Sequence, residues 1–169
     1  MGGAIGSGNT GPAAEFNIQV DPEAAHIVFE SDIPLFMVPL EVTHTALVTS
    51  SILDSIKLLK TNFGQICIDL LLFFQLTYKK IFRMDDPPLH DPCAVAFVID
   101  PSMFDYRLMR VDVETSSVLS FGQTVCDIYD MSNKKKNVHV CTKMNVEKFW
   151  SIMLECIRLA DKQSPINKI

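Results

Sequence analysis

Residues 85–94 read Asp-Asp-Pro-Pro-Leu-His-Asp-Pro-Cys-Ala, which sets an imidazole, His90, directly beside a carboxylate, Asp91. Pro87 and Pro88 lack backbone N–H groups and press the residues before them toward extended conformations, while Pro92 is preset for a first helical turn. The pair therefore occupies a stiff corner at the mouth of a helix. An imidazole exchanges protons near neutral pH, and a carboxylate there can cap the helix or bind a hard cation. On local grounds Asp91 reads first as a cap, with residues 94–99 buried behind it, and His90 as a structural residue. Their chemical reading depends on what stands elsewhere in the chain.

Glycines 2, 3, 6, 8 and 11 are five of the seven in the sequence. Such density lets backbone bend tightly and approach a ligand, but neither a Gly-x-Gly-x-x-Gly after a strand nor the Lys-Ser/Thr of a phosphate-binding loop is present. Gly6-Ser7-Gly8 is not the Gly-x-Ser-x-Gly of a serine hydrolase. Asn9, Glu15 and Asn17 follow, two amides and a carboxylate able to hydrogen-bond hydroxyls. Asp21-Pro22-Glu23 then opens a second capped helix with acids in its first turn.

Met1-Gly2-Gly3 through Gly8-Asn9, Ala14-Glu15-Phe16-Asn17, Asp21-Pro22-Glu23-Ala24-Ala25, Met37-Val38-Pro39-Leu40, Val42-Thr43-His44 and Pro88-Leu89-His90-Asp91-Pro92 together resemble the calcium-dependent inosine-uridine-preferring nucleoside hydrolases. The resemblance covers essentially all 169 residues and corresponds to the C-terminal half of that family's single domain. It implies an N-ribosyl hydrolase of purine and pyrimidine ribonucleosides, giving ribose and free base. Such a reaction passes through an oxocarbenium-like sugar and needs an activated water and an assisted leaving base. By this resemblance Asp91 is a calcium ligand and His90 assists the departing base. Asn9 and Glu15 face the 5'-hydroxyl, Asn17 the diol, and Met1 and Phe16 pack near the sugar. Tyr78 matches a loop tyrosine that closes over the base, although residues 79–86 depart from the family's glycine-bearing loop. A homo-oligomer is also implied.

The family begins with an Asp-x-Asp-x-Gly-x-Asp-Asp loop that supplies further calcium ligands and the general base. No such run occurs in the sequence. The expectation is half an active site, 1–169 without the aspartate-rich N-terminal half, binding calcium weakly because affinity depends on the number and charge of oxygen ligands. A second reading follows: a truncated, non-catalytic chain that binds ribosides weakly or assembles with another polypeptide.

A hydrophobic content of 48% can fill a core, and a net charge of −5 argues against a nucleic-acid or anionic-membrane surface. Five cysteines without a Cys-x-x-Cys predict reduced thiols and a cytoplasmic chain. No secretory signal is expected, and the apolar run 66–76, interrupted by Asp69, is too short to span a bilayer.

The elements predicted are those of an α/β fold: a partial parallel sheet flanked by helices, with strands at residues 1–5 and 34–40, and a small antiparallel excursion. Asn62 with Gln65 forms a capping pair for a helix whose Phe63, Ile66, Leu70, Phe73, Phe74, Thr77 and Ile81 share helical spacing; core is favoured over a cofactor pocket for that stripe. Strands are expected at 106–113 and 118–121 around a Glu114–Ser117 turn, and at 138–141. Lys134, Lys135 and Lys136 form either a solvated loop or a phosphate contact, the loop being favoured. Asn145 caps a final helix with Phe149, Ile152, Met153, Cys156 and Ala160 on one face, ended by Ser164-Pro165. His44 is expected to hold its segment through hydrogen bonds, and His139, alternating with valines, to face solvent.

Overall fold

Two-residue periodicity puts Val138 and Val140 on one face of their segment and His139 on the other. The computed structural model, which describes residues 1–168, builds its larger sheet on that segment. The strands are β1 (Leu35–Met37), β2 (Phe104–Met109), β3 (Val111–Val113), β4 (Thr124–Cys126) and β5 (Val138–Met144). Their order is β1-β5-β2, β1 parallel and β2 antiparallel to β5, while β3 and β4 form a separate antiparallel pair. The expected α/β fold with a small antiparallel excursion is present.

The chain forms two units. The first comprises residues 1–45 and 90–144. It contains both sheets and the helices α1 (Phe16–Val20), α2 (Pro22–Phe29) and α3 (Leu40–Thr43). Ile18, Phe29, Met37, Met109, Val111 and Val138 are among its buried core. Asp21 caps α2 as expected, Oδ1 accepting from the Ala24 N–H at 2.9 Å. His139 does not simply face solvent. It is half-buried, stacked on Phe36 with centroids 4.7 Å apart and meeting Tyr106 edge-on.

Two other expectations change in this unit. Residues 1–5 make no strand ladder; Gly2 donates to Val38 O at 3.3 Å and Gly3 O accepts from Leu40 N–H at 3.1 Å, and Gly3, at φ +74°, turns the chain away. The partner of β3 is β4 at residues 124–126, not 118–121. Glu114 accepts from the Ser116 and Ser117 amides, and Gly122, at φ +83° against Gln19, lets the chain return later than expected. The lysine run is the solvated loop that was favoured: all three lysines are exposed, Lys134 pairing with Asp112, Lys135 with Asp32 and Lys136 with Asp130. Asp112 also pairs with buried Arg110, which reaches Glu30.

The second unit, residues 46–89 and 145–168, contains α4 (Ser50–Lys57), α5 (Asn62–Ile81) and, after α6 (Asp91–Ile99) of the first unit, α7 (Val146–Gln163). Asn145 caps α7 through the Lys148 N–H at 3.0 Å, and Ser164 stands at its C-cap. Thr61, not Asn62, caps α5: its Oγ1 accepts from Gly64 N–H at 3.1 Å, while Asn62 donates to Ile166 O. The predicted core stripe is largely uncovered. Ile66, Leu70, Phe73, Phe74 and Ile81 are 42–65% exposed, and only Gly64 and Ile68 of α5 are buried. Likewise Cys156 and Ala160 of α7 are exposed, as are Val95, Val98 and Ile99 of α6 where burial was expected. Helical spacing says which side chains share a face; it does not supply what covers the face. Among the described residues no helix is long and apolar enough to cross a membrane.

Candidate functional site

Glu15 is extended at the N-cap of α1, and its buried carboxylate replaces a ladder for the surrounding backbone. Its Oε2 accepts from Gly3 N–H at 2.9 Å, Asn17 N–H at 3.0 Å and Ile18 N–H at 3.4 Å. A carboxylate suits this place because it meets unsatisfied amides at the positive end of a helix. Asn17 Nδ2 donates back to Met1 O at 3.2 Å and touches Met1 Sδ at 3.3 Å. Asn9 Oδ1 accepts from Phe16 N–H at 2.9 Å, and the Asn9 and Thr10 amides share Ala14 O. Gly8 is required there, since a Cβ would lie 2.0 Å from Ala14 O. Met1, Asn9, Glu15, Phe16 and Asn17 are thus brought together, with the Phe16 ring 55% exposed.

The short helix α3 carries both this cluster and His90. Leu40 N–H at its start holds Gly3 O at 3.1 Å, and Thr43 Oγ1 at its end lies 2.8 Å from His90 Nδ1. Three residues of helix separate the two grips, about 5 Å along the axis.

Burial first, and the neighbouring His44 second, lower the pKa of His90 to about 4, against the opposing pull of Asp91. His90 is therefore neutral at pH 7. His44 holds its segment through its backbone N–H, which donates to Leu40 O at 2.8 Å, and its ring meets His90 edge to face, centroids 5.5 Å apart; burial lowers its pKa while Glu41 opposes. Asp91 does not cap α6. His90 occupies the N-cap with helical φ −89° and ψ −68°, and its side chain makes no capping bond. A capping side chain needs extended backbone at its own position, so the exposed Asp91 carboxylate is not used by the helix.

Calcium takes about six to eight oxygens. Among the described residues no group of three or more His, Cys, Asp or Glu side chains is placed to hold a metal ion, so Asp91 alone does not fit a calcium site. Cys93, Cys126 and Cys141 are no substitute nucleophiles, since burial pushes the first two up to about 12 and the third to about 11.

Tyr78 belongs to the second unit. It lies within α5, its ring 4.9 Å from Phe82, on a helix where the resemblance implied a loop. A cavity of about 300 Å³ in that unit is lined by Ser55, Ile56, Leu58, Leu154 and Arg158 and by none of the site residues. A smaller one of about 140 Å³ in the first unit is lined by Met1, Gly2, Ile18, Phe29 and Phe36, adjoining the polar cluster. Glu41, Thr43 and Thr124, which hold the site together, were not singled out by the sequence. Thr43 lies in a motif noted only for its resemblance, Glu41 falls between two such motifs, and Thr124 is 120 residues from its partner Ala4.

The fold recurs in nucleoside hydrolases of known structure. A purine-preferring ribonucleoside hydrolase from Gardnerella vaginalis matches with a TM-score of 0.86 at 29% identity, covering 97% of this chain and 52% of that one. The family model of the inosine-uridine preferring nucleoside hydrolases matches residues 1–151, and the chain belongs to that family. A Dictyostelium discoideum protein named "Probable ribonucleoside hydrolase" is 54% identical over 163 residues, 93% of this chain and 48% of the relative. An inosine-uridine preferring nucleoside hydrolase of Crithidia fasciculata is 39% identical over 164 residues, 96% of this chain and 52% of the relative. The chain spans about half the length of the curated relatives it matches.

Proposed function

We propose that this chain supplies the ribose-binding and leaving-group part of an N-ribosyl hydrolase acting on purine or pyrimidine ribonucleosides. Water adds across the C1'–N bond, its hydroxyl going to C1' and a proton to the base. The observation that carries the reading is the joint support of the hydroxyl-binding cluster and His90 by α3. Glu15 and Asn9 serve the 5'-hydroxyl, Asn17 the diol, and Met1 and Phe16 the sugar's apolar surface. Tyr78 is offered as a contact to the base.

The Thr43 hydroxyl has one proton and two acceptors in reach, His90 Nδ1 at 2.8 Å and Leu40 O at 3.4 Å. In this reading the hydroxyl donates to Nδ1, which leaves the proton of neutral imidazole on Nε2. His90 then meets the departing base as a neutral hydrogen-bond donor. Asp91 is offered as one oxygen ligand of the calcium implied by the resemblance, within a set that this chain does not complete. The chain corresponds, in this reading, to the C-terminal half of the family domain. Five free thiols suit a reducing cytoplasm.

The test is ribose release from inosine and uridine by this chain mixed with the remaining half of the Dictyostelium relative. Release above that of either component alone is expected; none from the mixture would overturn the reading.

A further inference from the structure

Two side chains from distant elements grip the middle of the glycine-rich segment, whose flanks carry the candidate site. Thr124 on β4, 2% exposed, uses one hydroxyl twice, accepting from Ala4 N–H at 2.9 Å and donating to Ala4 O at 2.6 Å. Glu41 on α3 takes the next two amides, Ile5 N–H on Oε2 at 2.9 Å and Gly6 N–H on Oε1 at 2.8 Å. Residues 1–15 belong to no helix or strand, so side chains satisfy backbone groups that a ladder would otherwise hold. Just before the grip, Gly3 N–H meets Glu15 and Met1 O meets Asn17; just after it, Asn9 holds Phe16 N–H. The seat is tight. A Cβ on Gly3 would lie 2.7 Å from Met37 Sδ and 3.0 Å from Thr124 Cγ2.

We propose that Glu41 and Thr124 are positioning residues that set the seat of the glycine-rich segment against Glu15 and Asn17, and thereby the alignment of the hydroxyl-binding groups. The consequence for ribose rests on the function proposed above; the grip itself does not. Two consecutive amides need two acceptor oxygens, which a carboxylate offers and a glutamine does not. Thr124 needs a hydroxyl because one atom must both donate and accept, which serine keeps and valine loses.

Glu41→Gln, Thr124→Val and Thr124→Ser are compared in the 169-residue chain and in its mixture with the remaining half of the Dictyostelium relative. In the chain alone, the Ile5 and Gly6 amide resonances should move in Glu41→Gln, which loses one of the two acceptor oxygens. The Gly3 and Asn17 amide resonances should move in Thr124→Val and return in Thr124→Ser. In the mixture, Thr124→Val and Glu41→Gln should each raise KM for inosine about tenfold while kcat changes less than about threefold, as when one or two bonds holding a binding group are lost. Thr124→Ser should restore KM. A lower melting temperature with unchanged KM, or unmoved Gly3 and Asn17 resonances, would overturn the inference. No turnover by the unsubstituted mixture would instead overturn ribonucleoside hydrolysis, and the amide spectra alone would then decide whether the grip sets the segment.

Discussion

Thr43 Oγ1 lies 2.8 Å from Nδ1 of His90, 47 residues away in sequence, and Thr43 is wholly buried. One hydroxyl on a four-residue helix thus engages one ring nitrogen of the candidate leaving-group residue. Thr43→Val keeps the shape and removes the bond, about 1 kcal/mol or somewhat more when a buried partner is left unpaired. In a completed active site it should lower kcat/KM on natural nucleosides about tenfold. His90→Ala should lower it further, and both should do much less to p-nitrophenyl riboside, whose leaving group needs little assistance. Kinetics on both substrates check this, and equal losses would remove the leaving-group role.

His90 should remain neutral down to about pH 4. Its folded pKa lies below the ordinary value near 6.5, so the unfolded chain binds the extra proton first. The contribution of neutral His90 is fully present above about pH 6.5 and is lost as pH falls from there toward 4. Imidazole resonances followed by NMR read the value directly. An ordinary midpoint near 6.5 would contradict the burial that lowers it.

Calcium should bind the chain alone weakly, because Asp91 is one exposed carboxylate and no group of three metal-ligating side chains is assembled among the described residues. Affinity should rise when an aspartate-rich partner half is supplied, since oxygen number and charge set it. Calorimetric titration with and without that half decides the matter, and tight one-to-one binding by the chain alone would reveal ligands elsewhere.

A site built from Glu15, Asn9 and Asn17 should reject sugars that lack the hydroxyls these groups bond, because their own polar atoms are then left unpaired. The completed enzyme should disfavour 2'- and 5'-deoxynucleosides while tolerating several bases. Glu15→Gln should weaken discrimination at the 5' position and lower the melting temperature, since Oε2 holds three amides. Undiminished kcat/KM on both deoxy substrates would detach the cluster from ribose.

Much of the architecture was legible where a few neighbouring residues decide it. Asp21 before Pro22 and Asn145 before Val146 name their own helix starts, because a cap is made within three residues. Val138 and Val140 declare a strand with one buried face. The candidate site residues were named by resemblance rather than by local physics.

What only tertiary structure decided involves partners distant in sequence or faces whose covering lies outside the pattern. Asp91 looked like a cap until His90 took helical torsions beside Thr43. The stripe from Ile66 to Ile81 has a buried helix's spacing and remains exposed, because periodicity encodes which side chains align and carries nothing about what packs on them. By itself the sequence determined the starts of α2 and α7, the buried face of β5 and the family; the glycine-rich segment's position was decided by Thr124 and Glu41. Those bonds bridge 120 residues and 35 to 36 residues, and they exist only once strand pairing and helix packing have closed the chain into contact.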